Sequence, residues 1–126
     1  MKLGYPVLPP GIAKIAIGTF SRGSAGAQAI TGVGFVPKVV ILLAAGCDAA
    51  TEVFSNGVDN AASPRCNFKG GAVATVYQSI VRSIVVQLDA SNFIRGYITS
   101  MDADGFTVTW DLVGGATAYV VYLAMR

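Results

Sequence analysis

From Arg95 to Met125 the sequence alternates between strand and turn residues, and this stretch constrains the fold more than any other part of the chain. Phe106, Val108 and Trp110 alternate with Thr107, Thr109 and Asp111, the period-2 pattern of a strand with one buried face. Asp102-Ala-Asp-Gly105 precedes that strand and Val113-Gly-Gly-Ala116 follows it. The first carries Asp and Gly and the second a Gly pair, residues that tight turns need, so three strands joined by two hairpin connections are predicted. The last strand, 117–125, sets Tyr119, Val121 and Leu123 on one face and Ala118, Val120, Tyr122 and Ala124 on the other. Neither face suits water. In a small antiparallel sheet such a strand needs a core on one side and a partner subunit on the other.

Composition points the same way. The chain has 126 residues, a length for one domain with a core that needs neither disulfide nor metal. Only 13% of the residues are charged against 53% apolar, and mean hydropathy is +0.58. A globule of this size has too much surface for so few charges, so the apolar excess needs another sink. The longest apolar run, Val39 to Ala45, falls far short of the ~20 residues of a spanning helix. Tight oligomerisation is therefore expected, with no membrane partner. Nine basic and seven acidic residues leave a formal charge of +2, too little for a nucleic-acid surface. The start of the chain lacks the long apolar core of a secretory signal.

The domain division expected is an extended arm over 1–11 and a single β-sandwich over 12–126. Pro6, Pro9 and Pro10 block helix and central strand in the arm, leaving an extended segment of roughly 35 Å. Leu3, Tyr5, Val7 and Leu8 make it apolar, so a docking arm stands beside a frayed terminus as its reading. Ile12 to Phe20 is the first predicted strand, 21–26 a loop, and 27–31 a short strand. The glycines of that loop are followed by no Gly-Lys-Ser/Thr sequence and no helix pattern, which argues against phosphate binding. The continuous run Val39 to Ala45 is predicted as a central strand buried on both faces. From Gly46 to Gly71 the pattern weakens; Asn56-Gly57 and 59–64 carry turn chemistry, and exposed loops are expected there. Ala72 to Asp89 fits helix and strand by spacing, and its β-branched content favours two short strands broken near 79–83. These pieces amount to about eight short strands with no substantial helix, an all-β sandwich of jelly-roll type. Phe35, Val39, Ile41, Phe106, Val108 and Trp110 are its expected core.

Chemistry is sparse. The chain has no His, which removes the commonest general base and most zinc sites. Asp102 and Asp104 are a carboxylate pair two residues apart, a geometry open to calcium or glycoside hydrolysis, but Asp before Gly is also what the hairpin itself requires. Cys47 and Cys66 are either a disulfide or two reduced, buried small hydrophobes. Trp110 shares a face with Phe106 and Val108, which favours the core over a sugar-stacking platform. No catalytic, cofactor or metal site is expected, and no enzyme.

Ala29-Ile-Thr-Gly-Val-Gly-Phe-Val-Pro-Lys-Val-Val-Ile41, then Ser100-Met-Asp-Ala-Asp-Gly-Phe-Thr-Val-Thr-Trp110 and Tyr119-Val-Val-Tyr-Leu-Ala124, resemble short virion-associated proteins of tailed bacteriophages and prophages. The same anchors resemble the H-type lectin domain, and the match spans about Ile15 to Ala124. The resemblance implies an antiparallel sandwich that trimerises through its sheets, and N-acetylgalactosamine-like ligands in the lectin members. This chain departs from those members in lacking His and in having few charged residues after Trp110. The function expected is a trimeric capsid decoration protein located on the virion. Tyr119, Val120, Val121, Tyr122 and Leu123 would form the trimer interface, and the arm residues Leu3, Tyr5, Pro6, Val7, Leu8, Pro9 and Pro10 would dock on the major capsid protein. The alternative is a tail-fibre or receptor-binding module that takes a carbohydrate.

Overall fold

The apolar alternation read above folds into two antiparallel sheets in the computed structural model, which describes residues 14–46, 53–71 and 75–126. In chain order the strands are β1 (Ile15–Arg22), β2 (Gly26–Ile30), β3 (Val39–Gly46), β4 (Phe54–Asp59), β5 (Arg65–Lys69), β6 (Val76–Ser79), β7 (Ile84–Asp89), β8 (Asn92–Asp102), β9 (Gly105–Val113) and β10 (Ala118–Met125). A six-stranded sheet runs β1-β10-β3-β4-β5-β6, and a four-stranded sheet runs β2-β9-β8-β7. The all-β sandwich expected from the sequence is the fold, built from ten strands where about eight were expected. The arm residues Leu3 to Pro10 and the Cys47–Cys66 pairing lie outside the described residues, Cys47 being the member of that pair not described.

The core forms where both sheets turn bulky side chains inward. Phe35, Phe106, Val108 and Trp110 are all buried there, as expected. Phe20 and Tyr122 from the six-stranded sheet meet Phe106 and Trp110 from the four-stranded one. The Phe106 and Tyr122 rings meet edge to face at 5.3 Å, and Phe20 touches Phe106 at 6.1 Å and Trp110 at 6.4 Å. Edge-to-face contacts of this kind add to the area they bury. Two glycines make room: a Cβ at Gly18 would overlap the Tyr122 ring, and one at Gly96 would press on the Trp110 ring. The Trp110 indole N–H donates to Gln28 Oε1 at 3.0 Å, so the large ring is buried with its polar atom satisfied.

Three expectations are corrected. First, β3 is not buried on both faces: Val40, Leu42 and Ala44 point into the core, while Val39 and Ile41 are half-buried on the outer face beside exposed Leu43. Among the described residues the six-stranded sheet has a second layer on one side alone, so Val39 and Ile41 are not core residues. Second, Gly114-Gly115 is not a hairpin. It carries the chain from β9 in one sheet to β10 in the other, with Gly114 at φ 74 and the Gly115 N–H donating to Asn92 Oδ1. The β8–β9 connection is the hairpin predicted, closing on the pair Asp102 and Gly105. Third, Asn56-Gly57 is not a turn but the middle of β4, where Gly57 pairs with Leu42 and Cys66. A Cβ there would fall on the Ser83 carbonyl oxygen, so the glycine serves a close backbone approach. The region 46–71 is thus mainly strand, with its turn over 60–64 held by Asn60 Oδ1 accepting from the Ala62 and Ser63 amides.

The break expected near 79–83 is present, and it carries the chain from β6 in one sheet to β7 in the other. Where it crosses β4, the sheets meet through polar groups. Fully buried Ser55 accepts the Val85 N–H at 3.0 Å, and fully buried Asp59 accepts the Ile98 N–H at 2.8 Å and the Ala61 N–H at 2.8 Å. Ser83 bonds to Gly96 at the last rung of β7 on β8, so the Ile98 amide, two residues on along the same edge, has no strand partner there. Asp59 supplies one across the sheets.

Replacing Gly57 tests this seam. Gly57→Ala forces either β4 or the 80–83 crossover to move, and is expected to destabilise the protein by about 3 kcal/mol or more, read from the shift in denaturant midpoint. A loss within that of an ordinary surface substitution would overturn the close-approach account.

Candidate functional site

Strand pairing lines up the outward residues of the six-stranded sheet in rows. One row reads Ile17, Leu123, Ile41, Val58 across β1, β10, β3 and β4; the next reads Thr19, Val121, Leu43, Asn56. Ile17 is 74% exposed, Leu43 48%, Val121 46% and Tyr119 50%. A shallow groove of about 580 Å³ lies among Thr19, Ser21, Leu43, Ala45, Tyr119 and Val121. A smaller depression of about 200 Å³ lies among Ile17, Ile41, Leu43, Val121 and Leu123. Among the described residues no charged side chain lines either one. Beyond this apolar field the face becomes polar: Asn56, Asn67 and Gln78 stand side by side across β4, β5 and β6, with Arg65 and Lys69 on the same face. An apolar centre with an amide and basic margin is the layout of a protein interface.

Of the five residues expected at a trimer interface, Tyr119, Val121 and Leu123 lie on this outer face. Val120 and Tyr122 do not. They point inward and are buried, Tyr122 packed against Phe20 and Phe106, so they belong to the core of the subunit. A strand apolar on both faces does not state which of them the rest of the chain will cover. Ile17 and Leu43 were missed as candidate interface residues; their signal was the alternation within β1 and β3, obscured in β3 by its continuous apolar run.

A second feature sits where the six-stranded sheet extends beyond the four-stranded one. Phe68 and Tyr77, paired across β5 and β6, stack with centroids 5.8 Å apart and planes at 29°. They flank a cleft of about 380 Å³ whose other walls include Gly71, Gln87 and Asp89.

The carboxylates weighed for calcium or catalysis act as clamps. Asp102 accepts the Ser100 hydroxyl at 2.8 Å and the Thr107 hydroxyl at 2.7 Å; Asp104 accepts the Gly32 amide at 3.0 Å and the Gly34 amide at 2.7 Å. Both glycines have positive φ, so Asp104 fixes the bend between β2 and β3 from 70 or more residues away in the chain. Among the described residues no group of three or more Asp, Glu, Cys or His gathers as a metal site, and no helix is long and apolar enough to cross a membrane. Cys66 is buried and burial pushes its thiol up, which keeps it a poor nucleophile.

These clamps give a pH signature. Hydrogen bonds hold both carboxyls below the ordinary aspartate range, Asp102 through Thr107 and then Ser100, Asp104 through Gly32 and then Gly34. A carboxyl depressed on folding contributes stability above its unfolded pKa of about 3.9 and loses it as pH falls through the lower folded value. Urea midpoints should therefore fall as the pH is taken below about 4, and fall less in Asp104→Asn, which starts from a lower midpoint at neutral pH. Equal falls in the two proteins would remove Asp104 from the account.

No protein-family model, no curated protein and no solved structure matches this chain.

Proposed function

We propose that this chain is a structural subunit that assembles with copies of itself through the outer face of its six-stranded sheet, and that the assembly is a trimer decorating the shell of a tailed bacteriophage. The observation that carries the reading is the uncharged field spread over β1, β10, β3 and part of β4, in which Ile17, Leu43, Tyr119 and Val121 are all exposed, Ile17 most of all. A contiguous apolar patch of that extent is unusual on a free monomer and ordinary at an oligomer interface. A sheet face of this kind suits packing against a second sheet at ~10 Å. The shell location is supported by the sequence resemblance. The arm of Leu3, Tyr5, Pro6, Val7, Leu8, Pro9 and Pro10 would attach the trimer. Ordering it costs roughly 1 to 2 kcal/mol per residue, which three prolines reduce, while each buried bulky side chain returns about 1.5 to 3 kcal/mol. Three arms on one trimer reinforce one another through effective concentration.

A second reading, a receptor-binding module of a tail fibre, is favoured by the cleft beside Phe68 and Tyr77. Its stacked rings offer an apolar platform, and Gln87 and Asp89 offer hydrogen-bond partners suited to a hydroxyl-rich ligand such as a carbohydrate. Copy number separates the readings: decoration requires on the order of hundreds of copies per purified particle, a fibre tip a few dozen at most.

The assembly itself is tested by Val121→Asp. A carboxylate buried unpaired at the interface costs several kcal/mol, so this variant should sediment as a folded monomer while the parent sediments as a trimer at micromolar concentration. A parent that is monomeric under those conditions would end the proposal. Deleting residues 1–11 should leave the trimer intact and abolish binding to shells; unchanged shell binding would remove the arm from the mechanism.

A further inference from the structure

We propose that the pocket between Arg82 and Arg95 binds an oxyanion, a carboxylate or phosphate group carried on a small ligand. Strand register sets Arg95 of β8 opposite Val85 of β7 and Asp111 of β9, on the side of the four-stranded sheet that faces away from the core. Arg82 reaches the same place from the crossover before β7. Its Nη2 is 2.6 Å from Asp111 Oδ2, and Arg95 Nη2 is 3.9 Å from the same oxygen. Two guanidinium groups thus share one carboxylate, leaving a surplus positive charge.

Both guanidinium groups are held in place by rings. Arg82 lies 5.0 Å over Tyr97 and Arg95 lies 4.5 Å over Phe93. A guanidinium attracted to a ring face keeps its Nη groups as donors, and a guanidinium suits bidentate recognition of an oxyanion. The donors are in surplus too. The Nε atoms of Arg82 and Arg95 are buried with no hydrogen-bond partner among the described residues, and Arg95 donates no hydrogen bond to any of these, its distance to Asp111 being too long for one, so its outer guanidinium nitrogens are not engaged. Arg82, by contrast, is partly used, by the Val81 carbonyl and by Asp111.

The two side chains border a pocket of about 190 Å³ whose other walls include Phe68, Gln78, Ser79, Val85 and Gln87, with no carboxylate among the described residues that line it. Ser79 Oγ already accepts from the Val81 and Arg82 amides, so its hydroxyl proton remains a donor. The volume admits an anionic head on a short stem. Phe68 gives that stem an apolar wall. None of this depends on the assembly reading, since Arg95 and Asp111 lie on the other sheet and Arg82 on the crossover that leads to it.

The test is an NMR titration of the Arg Nε–H signals in the full chain at constant ionic strength, with sodium phosphate in one arm and sodium acetate in the other. Saturable shifts of Arg82 and Arg95 are expected, while Arg22, whose Nε donates to the Ser24 carbonyl, should move only with bulk salt. The arm that saturates at lower concentration identifies the head group as phosphate or carboxylate. Arg95→Gln should abolish the saturable shift at Arg82. Asp111→Asn removes the competing carboxylate and should tighten binding, about 3- to 10-fold. Shifts that do not saturate with either anion, or that track Arg22, overturn the proposal. So does binding in Asp111→Asn that is unchanged or weaker, an outcome that unfolding of the arginine variant cannot imitate.

Discussion

The packing of Phe20 and Tyr122 against Phe106 and Trp110 joins the two sheets, and the orientation of every strand in the six-stranded sheet follows from it. Once Tyr122 is turned inward over Gly18, period-2 geometry sends Tyr119, Val121 and Leu123 outward. Register then carries the choice to β1 and β3, placing Ile17 and Leu43 in the same outer field. A one-residue slip of β10 would exchange the two faces, and the aromatic cluster opposes it because Val121 or Leu123 would then stand opposite Gly18 in place of the Tyr122 ring. The apolar outer field is therefore a consequence of how the core is filled.

At the other end the sheets are joined by hydrogen bonds. β4 turns Ser55, Gly57 and Asp59 toward the four-stranded sheet: one side chain for the Val85 amide, no side chain where Ser83 passes, and one for the Ile98 amide. Removing a partner from such a buried group costs more than the net worth of the bond. The seam trades apolar area for direction, fixing where β7 lies. Because β7 lies there, β5 and β6 extend past the smaller sheet and leave Phe68 between two clefts, one toward Tyr77 and Asp89, the other toward Arg82 and Arg95.

The molecule thus has two unlike exteriors. The outer face of the larger sheet is apolar over β1, β10 and β3, with an amide and basic margin over β5 and β6. The outer face of the smaller sheet is polar, with Thr99 and Thr109 hydroxyls 3.2 Å apart and two ring-stacked arginines sharing Asp111. An assembly built through the first face leaves the second open, so self-association and recognition of another ligand need not compete for the same residues.

The strand grammar was legible in the sequence because it is local: alternation around Trp110, Asp and Gly at the β8–β9 turn, and β-branched content around Ile84 each depend on a few neighbouring residues. The core positions Phe106, Val108 and Trp110 were legible for the same reason. What tertiary structure decided are the features that depend on residues distant in the chain. Asn56-Gly57 has turn chemistry, yet it is strand because Ser83 crosses it; Gly114-Gly115 has hairpin chemistry, yet it changes sheets because β10 pairs with β1 and β3. Val39 and Ile41 are as apolar as Val40 and Leu42 and differ from them only in which side the second sheet covers. Val120 and Tyr122 separate from Val121 and Leu123 on the same ground. Sequence determined that both faces of β3 and β10 are apolar, since hydrophobicity belongs to each residue; the fold determined which face became core, since burial belongs to pairs of surfaces brought together.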